Sequence, residues 1–290
     1  MIWILLVLFY GLAKGGREIC KKKALTKNTV IEVLFFYTLL SFLFVTPEIP
    51  KAGGLEGIQY GLIALKAFVV FLAWICSFNA IKMMPVSLMG VLDLSRVIFA
   101  TLFGVLFLHE QMTHSSVIGL MLVSLGLVLL PFPNIIANRR NLGDEKIEHT
   151  KPIYIILALI SCVLNAVSGT MDKYLMGTDM SSGQLQFWYM LFLVLFYIIY
   201  IAVKRIRIDY KSLAKNYWIW ILAVLFVLAD RALFIANGYP ESKVTIMTLV
   251  KQAGCLVTIV GGKLFFKEKN ILYKLFCAMV IITGIMISVI

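Results

Sequence analysis

Apolar residues along this chain fall into ten long runs separated by short polar breaks. A helix that spans a bilayer needs about 20 mostly apolar residues, within a range of about 17–25. Ten runs approach that length: Ile2–Ala24, Asn28–Pro47, Gly57–Ala80, Met84–Leu108, His114–Phe132, Pro152–Leu175, Gly183–Val203, Lys215–Asn237, Ser242–Phe265 and Asn270–Val289. Lipid offers the backbone no hydrogen-bond partner, so each run predicts an α-helix. A membrane barrel would instead show short segments of alternating polarity. The first run has no basic leader and no small-residue cleavage site, which predicts that it stays as a helix. The expected fold is an all-α membrane protein with ten transmembrane helices.

The longest break, residues 133–151, is polar and carries Arg139, Arg140, Asp144, Glu145 and Lys146. It divides the chain into a first five-helix unit, residues 1–132, and a second, residues 152–290. The halves resemble each other. A shift of 158 positions sets Asn79 on Asn237, Met89 on Met247, Gly104 on Gly262, Glu110 on Glu268 and Gly126 on Gly284. A shift of 152 sets Phe35-Phe36-Tyr37 on Phe187-Trp188-Tyr189. Five is odd, so the halves enter the membrane in opposite orientations. The pattern predicts a five-plus-five inverted repeat, an arrangement that supports alternating access.

Composition agrees. Hydrophobic residues make up 61% of the 290 and charged residues 14%, against about 45–50% and about 25% in soluble domains. The mean hydropathy is +0.94. Lysine and arginine number 27 against 15 acidic residues, a net charge of +12. The basic residues sit mainly between apolar runs, where they set topology and meet lipid headgroups. No soluble module is predicted to carry nucleic acid. The basic residues concentrate after helices 1, 3, 5, 7 and 9. The other face has little beyond Lys51, Lys173 and Lys243. The positive-inside rule makes the basic face cytoplasmic and places both termini outside, in a cell membrane. The five cysteines lie singly, which predicts packing roles and no disulfide framework. The three histidines fall in or beside loops, so no metal site is expected.

Some residues carry a family resemblance. Phe107-Leu108-His109-Glu110 is followed by Gly119 and Gly126, and Phe265-Phe266-Lys267-Glu268 is followed by Gly284. With Lys22-Lys23-Ala24-Leu25 at the end of helix 1, these stretches resemble the EamA-type drug/metabolite transporter pattern. The resemblance implies ten helices, a five-plus-five repeat and movement of small organic solutes. One feature departs from it. The family often has proline fourteen residues before the glutamate, and those places here hold Arg96 and Gly254.

Charges inside the predicted helices carry the functional expectation. Lys14, Arg17, Glu18, Lys66, Asp93, Arg96, Asp230, Arg231 and Lys251 all lie within spans. Facing lipid, these nine would cost about 20–30 kcal/mol together, more than a typical net stability. They must pair or line a wet cavity. Tyr10, Lys14, Arg17 and Lys21 share one helical face at i, i+4, i+7 and i+11, and so do Ser161, Asn165, Ser168 and Asp172. The two stripes superpose on a shift of 151. Lys21 and Asp172 fit snorkelling at helix ends equally well. Asp93 and Lys251 occupy equivalent positions with opposite charge, which predicts either a central ion pair or a local Asp93–Arg96 pair that leaves Lys251 free. Asp230 and Arg231 are adjacent and point about 100° apart, so one of them is expected to pair structurally. Glu110 and Glu268, at helix ends, are expected to be structural. Trp188, Tyr189, Trp218 and Trp220 are expected at the membrane interface. Trp74 and Phe78 fit a pocket wall, but packing against lipid or core is the favoured expectation.

The substrate-binding expectation therefore covers Lys14, Arg17, Lys66, Asp93, Arg96, Asn165, Asp230, Arg231 and Lys251. No phosphate-cradling GxxxxGK[ST] and no GxSxG or HExxH occurs, so neither nucleotide-driven transport nor an enzyme is expected, and no cofactor is required. Interior bases outnumber interior acids. That predicts a secondary active transporter for a small anionic or zwitterionic metabolite, acting as monomer or homodimer, with a proton as candidate coupling ion. The alternatives are a proton-coupled exporter of drugs or other cations and a lipid-phosphate flippase.

Overall fold

The computed structural model describes residues 2–99, 102–103, 114–129, 151–178, 180–239, 247, 250–268 and 270–289. All regular elements among them are helical. The main helices are α1 (Ile2–Ala24), α2 (Val30–Val45), α3 (Gly57–Met83), α4 (Val86–Asp93), α5 (His114–Leu129), α6 (Pro152–Met176), α7 (Ser182–Lys204), α8 (Tyr217–Asn237), α9 (Ala253–Phe266) and α10 (Ile271–Val289). A 3₁₀ turn (Thr46–Lys51) follows α2, and a short helix (Tyr210–Lys215) precedes α8.

Five described helices are long and apolar enough to cross a membrane: Val30–Pro50, Gly57–Met83, Pro152–Met176, Ser182–Lys204 and Tyr217–Asn237. α1 is 23 residues long, but Lys14, Arg17 and Glu18 interrupt its apolar run. Shorter apolar helices cover Val117–Gly126, Ala253–Phe266 and Ile271–Gly284. The predicted central loop, the end of the fourth run, most of Ser242–Leu249, His109, Glu110 and His149 lie outside the described residues. Large apolar side chains such as Ile58, Leu264 and Leu272 stand exposed on helix surfaces, a pattern that calls for lipid as solvent.

Local sequence sets the helix ends. Thr29 caps α2 by accepting from the Glu32 amide, and Glu32 accepts in return from the Thr29 amide at 2.9 Å. Ser181 and Gln184 form the same reciprocal cap on α7. Each cap satisfies amides that have no partner inside the first turn.

The fourth and ninth runs depart from the uninterrupted helices predicted. α4 stops at Asp93, and a turn at Leu94–Ser95 precedes a further helical segment from Arg96. Through the turn the hydrogen bonds shorten to three-residue steps: Leu94 to Val91 (3.1 Å), Ser95 to Leu92 (2.9 Å) and Val97 to Leu94 (3.1 Å). A turn at Gln252 separates Lys251 from α9, with Cys255 donating to the Gln252 carbonyl at 2.9 Å. Leu94 and Gln252 are equivalent under the 158-residue shift. Neither break contains proline. In each the last helical residue before the turn is charged, and irregular backbone at membrane depth is tolerated where it lines a cavity.

Packing follows the same correspondence. α1 lies along α8 and α3 along α6; α2 packs on α7, α4 on α9 and α5 on α10; α2 also meets α8, and α3 meets α7. Exchanging the first five helices for the last five in order turns every one of these contacts into another of them or into itself. At one end, Lys22 Nζ donates to the Met84 carbonyl, Lys23 Nζ to Phe265 (3.3 Å), and Asn216 Nδ2 to Ala24 (3.0 Å). At the other, Gln184 Nε2 donates to the Gly53 carbonyl (2.7 Å) and Trp188 Nε1 to Ala52 (2.8 Å). Trp188 is thus tied to the segment that connects α2 and α3.

Candidate functional site

A cavity of about 270 Å3 runs between α1, α3, α4, α6, α8 and α9, with Tyr37 of α2 and Tyr189 of α7 also in its wall. Both polar stripes face it: Tyr10, Lys14, Arg17 and Lys21 from α1, and Ser161, Asn165, Ser168 and Asp172 from α6. A helix that presents one polar face at this spacing, with apolar residues elsewhere, satisfies a wet interior and a lipid exterior at once.

Ion pairs cross the cavity wall. Lys14 pairs with Asp93, and Arg96 Nη2 reaches the other oxygen of Asp93 at 2.9 Å. Arg17 Nη1 lies 3.1 Å from Asp230, joining α1 to α8. Lys66 Nζ lies 3.2 Å from Asp172, joining α3 to α6. Lys66 is only 2% exposed, and its ammonium also sits 3.7 Å from the centre of the Tyr189 ring, a favourable place for a cation. Lys21 pairs with Glu18 one turn away. A single unpaired charge buried this way would cost several kcal/mol, which is why the pairs form. Lys251 has no ion pair among the described residues; its ammonium lies 5.9 Å from the Tyr10 ring centre.

Eight of the nine expected site residues line this cavity: Lys14, Arg17, Lys66, Asp93, Arg96, Asn165, Asp230 and Lys251. Arg231 is the exception. It turns away from the cavity, towards α7 and the turn after α2, where Nε donates to Gln186 (2.8 Å) and Nη2 to Glu48 (3.0 Å). The 100° step from Asp230 sends it there. Of the two arrangements expected for Asp93, the local Asp93–Arg96 pair is present, extended by Lys14; Lys251 takes no part. Asp172 and Lys21 line the cavity rather than snorkelling. Tyr189 also lines it, as does Trp74, for which packing was favoured over the pocket wall it takes, while Phe78 is fully buried as expected. The superposition of Tyr37 on Tyr189 was the signal available for the two tyrosines.

Glu268 is structural, as expected. It accepts from the Val86 amide at 2.7 Å, the Ser87 amide at 3.2 Å and the Ser87 hydroxyl, and it pairs with Lys274 at 3.3 Å. A carboxylate from the end of α9 thereby caps the N-terminus of α4. The cysteines are free. No cluster able to hold a metal occurs among the described residues.

The EamA-like transporter family model matches residues 1–132, in agreement with the resemblance carried by the motifs. No curated protein matches the sequence. One solved crystal structure superposes with a TM-score of 0.67 over 99% of this chain and 97% of that chain, at 11% identity. At that identity the likeness shows the fold alone. Together with the apolar helices, the family match describes a multi-pass helical membrane protein.

Proposed function

From the match of its first 132 residues to the EamA-like transporter family, we propose that this protein is a secondary active transporter. It moves a small anionic or zwitterionic metabolite by alternating access through the central polar cavity. Ten spanning helices in two inverted five-helix units, residues 1–132 and 152–290, would supply the two alternative packings. The contacts that interchange when the halves are exchanged favour this reading, as do the paired breaks after Asp93 and Lys251. Among the described residues, the connections after α1, α3, α7 and α9 meet at one end of the bundle, in keeping with a cytoplasmic basic face and both termini outside.

The observation that carries the substrate class is the charge of the cavity. Six cations face it against four carboxylates. Each carboxylate is already held, and Lys251 is left without one among the described residues. An ionisable group inside the membrane marks a substrate or ion path. Lys251 would meet the solute's negative group, Lys14, Arg17, Lys66, Asp93, Arg96, Asn165 and Asp230 would shape the site, and the carboxylates are candidate proton carriers. The reading is not enzymatic and requires no cofactor.

The test is uptake into proteoliposomes of labelled glutamate, lactate and tetraphenylphosphonium. Glutamate or lactate should enter, tetraphenylphosphonium should not, and Lys251→Met should slow uptake by about tenfold or more. Entry of the cation with exclusion of both others would overturn the reading.

A further inference from the structure

The positive excess is not spread evenly over the cavity. Arg17 with Asp230, Lys66 with Asp172 and Lys21 with Glu18 form three closed pairs. What remains is one carboxylate, Asp93, among three cations: Lys14, Arg96 and Lys251. The surplus of two charges therefore gathers beside the breaks that follow Asp93 and Lys251. Glycine brings these groups together. A Cβ on Gly11 would stand 3.0 Å from the carbonyl oxygens of both Val250 and Lys251, so α1 lies directly on the broken backbone and Lys14 is held beside it. Two other carboxylates of the wall, Asp172 and Asp230, are both engaged elsewhere. Arg96 Nε is buried and without a hydrogen-bond partner, a donor still to be satisfied on the same side.

Like charges enclosed together in a medium of low dielectric repel strongly. A zwitterion leaves the surplus as it was, and a monovalent anion leaves half of it. We propose that the solute is a small organic dianion, bound between Lys251 and the Lys14–Arg96 side of Asp93. This rests on the transport reading above and narrows its substrate class. Dicarboxylates and phosphate monoesters share the required chemistry, since a lysine ammonium binds either as a point charge.

The test uses the full-length protein purified in detergent, with unfolding temperature and dissociation constant measured for succinate, glycerol 3-phosphate, lactate and alanine at equal concentration. Succinate or glycerol 3-phosphate should raise the unfolding temperature; whichever does so identifies the dicarboxylate or the phosphate monoester. Lys251→Gln should weaken that dianion by about 10–100-fold and leave it no tighter than lactate, a change in valence preference that general damage to folding would not produce. Stabilisation by lactate or alanine alone would overturn the dianion assignment and leave the transport reading standing. Stabilisation by none of the four would also overturn it. Uptake of tetraphenylphosphonium alone would remove both.

Discussion

Asp93 accepts from Lys14 and Arg96 together, while Lys251, its counterpart in the second half, donates to no charged partner among the described residues. Equivalent positions thus carry opposite charge and unequal satisfaction, which makes the two sides of the cavity chemically different. The Lys66–Asp172 pair shows the energetic stake. Lys66→Met would strand the Asp172 carboxylate and should lower stability by about 3–5 kcal/mol. Lys66→Met with Asp172→Leu should recover most of that loss in a detergent unfolding measurement. Equal losses in the single and double variants would mean that the pair does not exist. Arg231 belongs to a different class. Its partner Glu48 is about a third exposed, and such pairs contribute about 0–1 kcal/mol. Arg231→Gln should keep uptake within about twofold of the native rate, and a collapse of uptake would place Arg231 in the site after all.

Among the elements, the fourth and ninth runs stand apart because each is broken by a turn, at Leu94–Ser95 and at Gln252, and because Glu268 ties their helices α4 and α9 together. That carboxylate satisfies two amides of α4, a hydroxyl and Lys274 at once. Glu268→Ala should cost about 2–4 kcal/mol, visible as a lower unfolding temperature, with Glu268→Gln recovering part by accepting from the amides. The α1–α9 contact depends on absent side chains. A Cβ on Gly254 would press into the Gly11 carbonyl, and one on Gly15 into Val257. Gly254→Ala should push α9 from α1, costing about 1–3 kcal/mol and weakening solute binding by displacing Lys251. Unchanged binding in a stable Gly254→Ala protein would contradict the role assigned to this contact. The uninterrupted fourth helix expected from hydropathy was an error of kind. Hydropathy records how apolar a run is, and it is insensitive to a turn whose loosened backbone faces a cavity.

For the whole molecule, sidedness is the property most open to measurement. Lys22, Ala24, Asn28 and Asn216 meet at one end, and Glu48, Ala52 and Gln184 gather at the other. In a background without the native cysteines, Lys27→Cys and Glu56→Cys, both exposed, should react with a membrane-impermeant maleimide from opposite sides. With the basic end inside, Glu56→Cys reacts in intact cells and Lys27→Cys only after lysis. The reverse pattern would invert the orientation, and labelling of both from one side would refute the bundle's polarity.

Much of this was written in the order of the residues. Run length set which segments are helices, because a backbone in lipid has no partner but itself. Spacing on the helix set which side chains of α1 and α6 share a face, because the turn angle is a property of the helix alone. The internal shifts of 152 and 158 positions pair Tyr37 with Tyr189 and Asp93 with Lys251. Partners were decided only by the tertiary structure. That Lys66 meets Asp172 across α3 and α6, that Arg231 turns to Glu48 while Asp230 turns inward, and that both central helices break beside a charge all depend on which helices lie side by side. The ion pairs between helices, Lys14–Asp93 and Arg17–Asp230 among them, join residues 79 to 213 positions apart, and no local pattern records them.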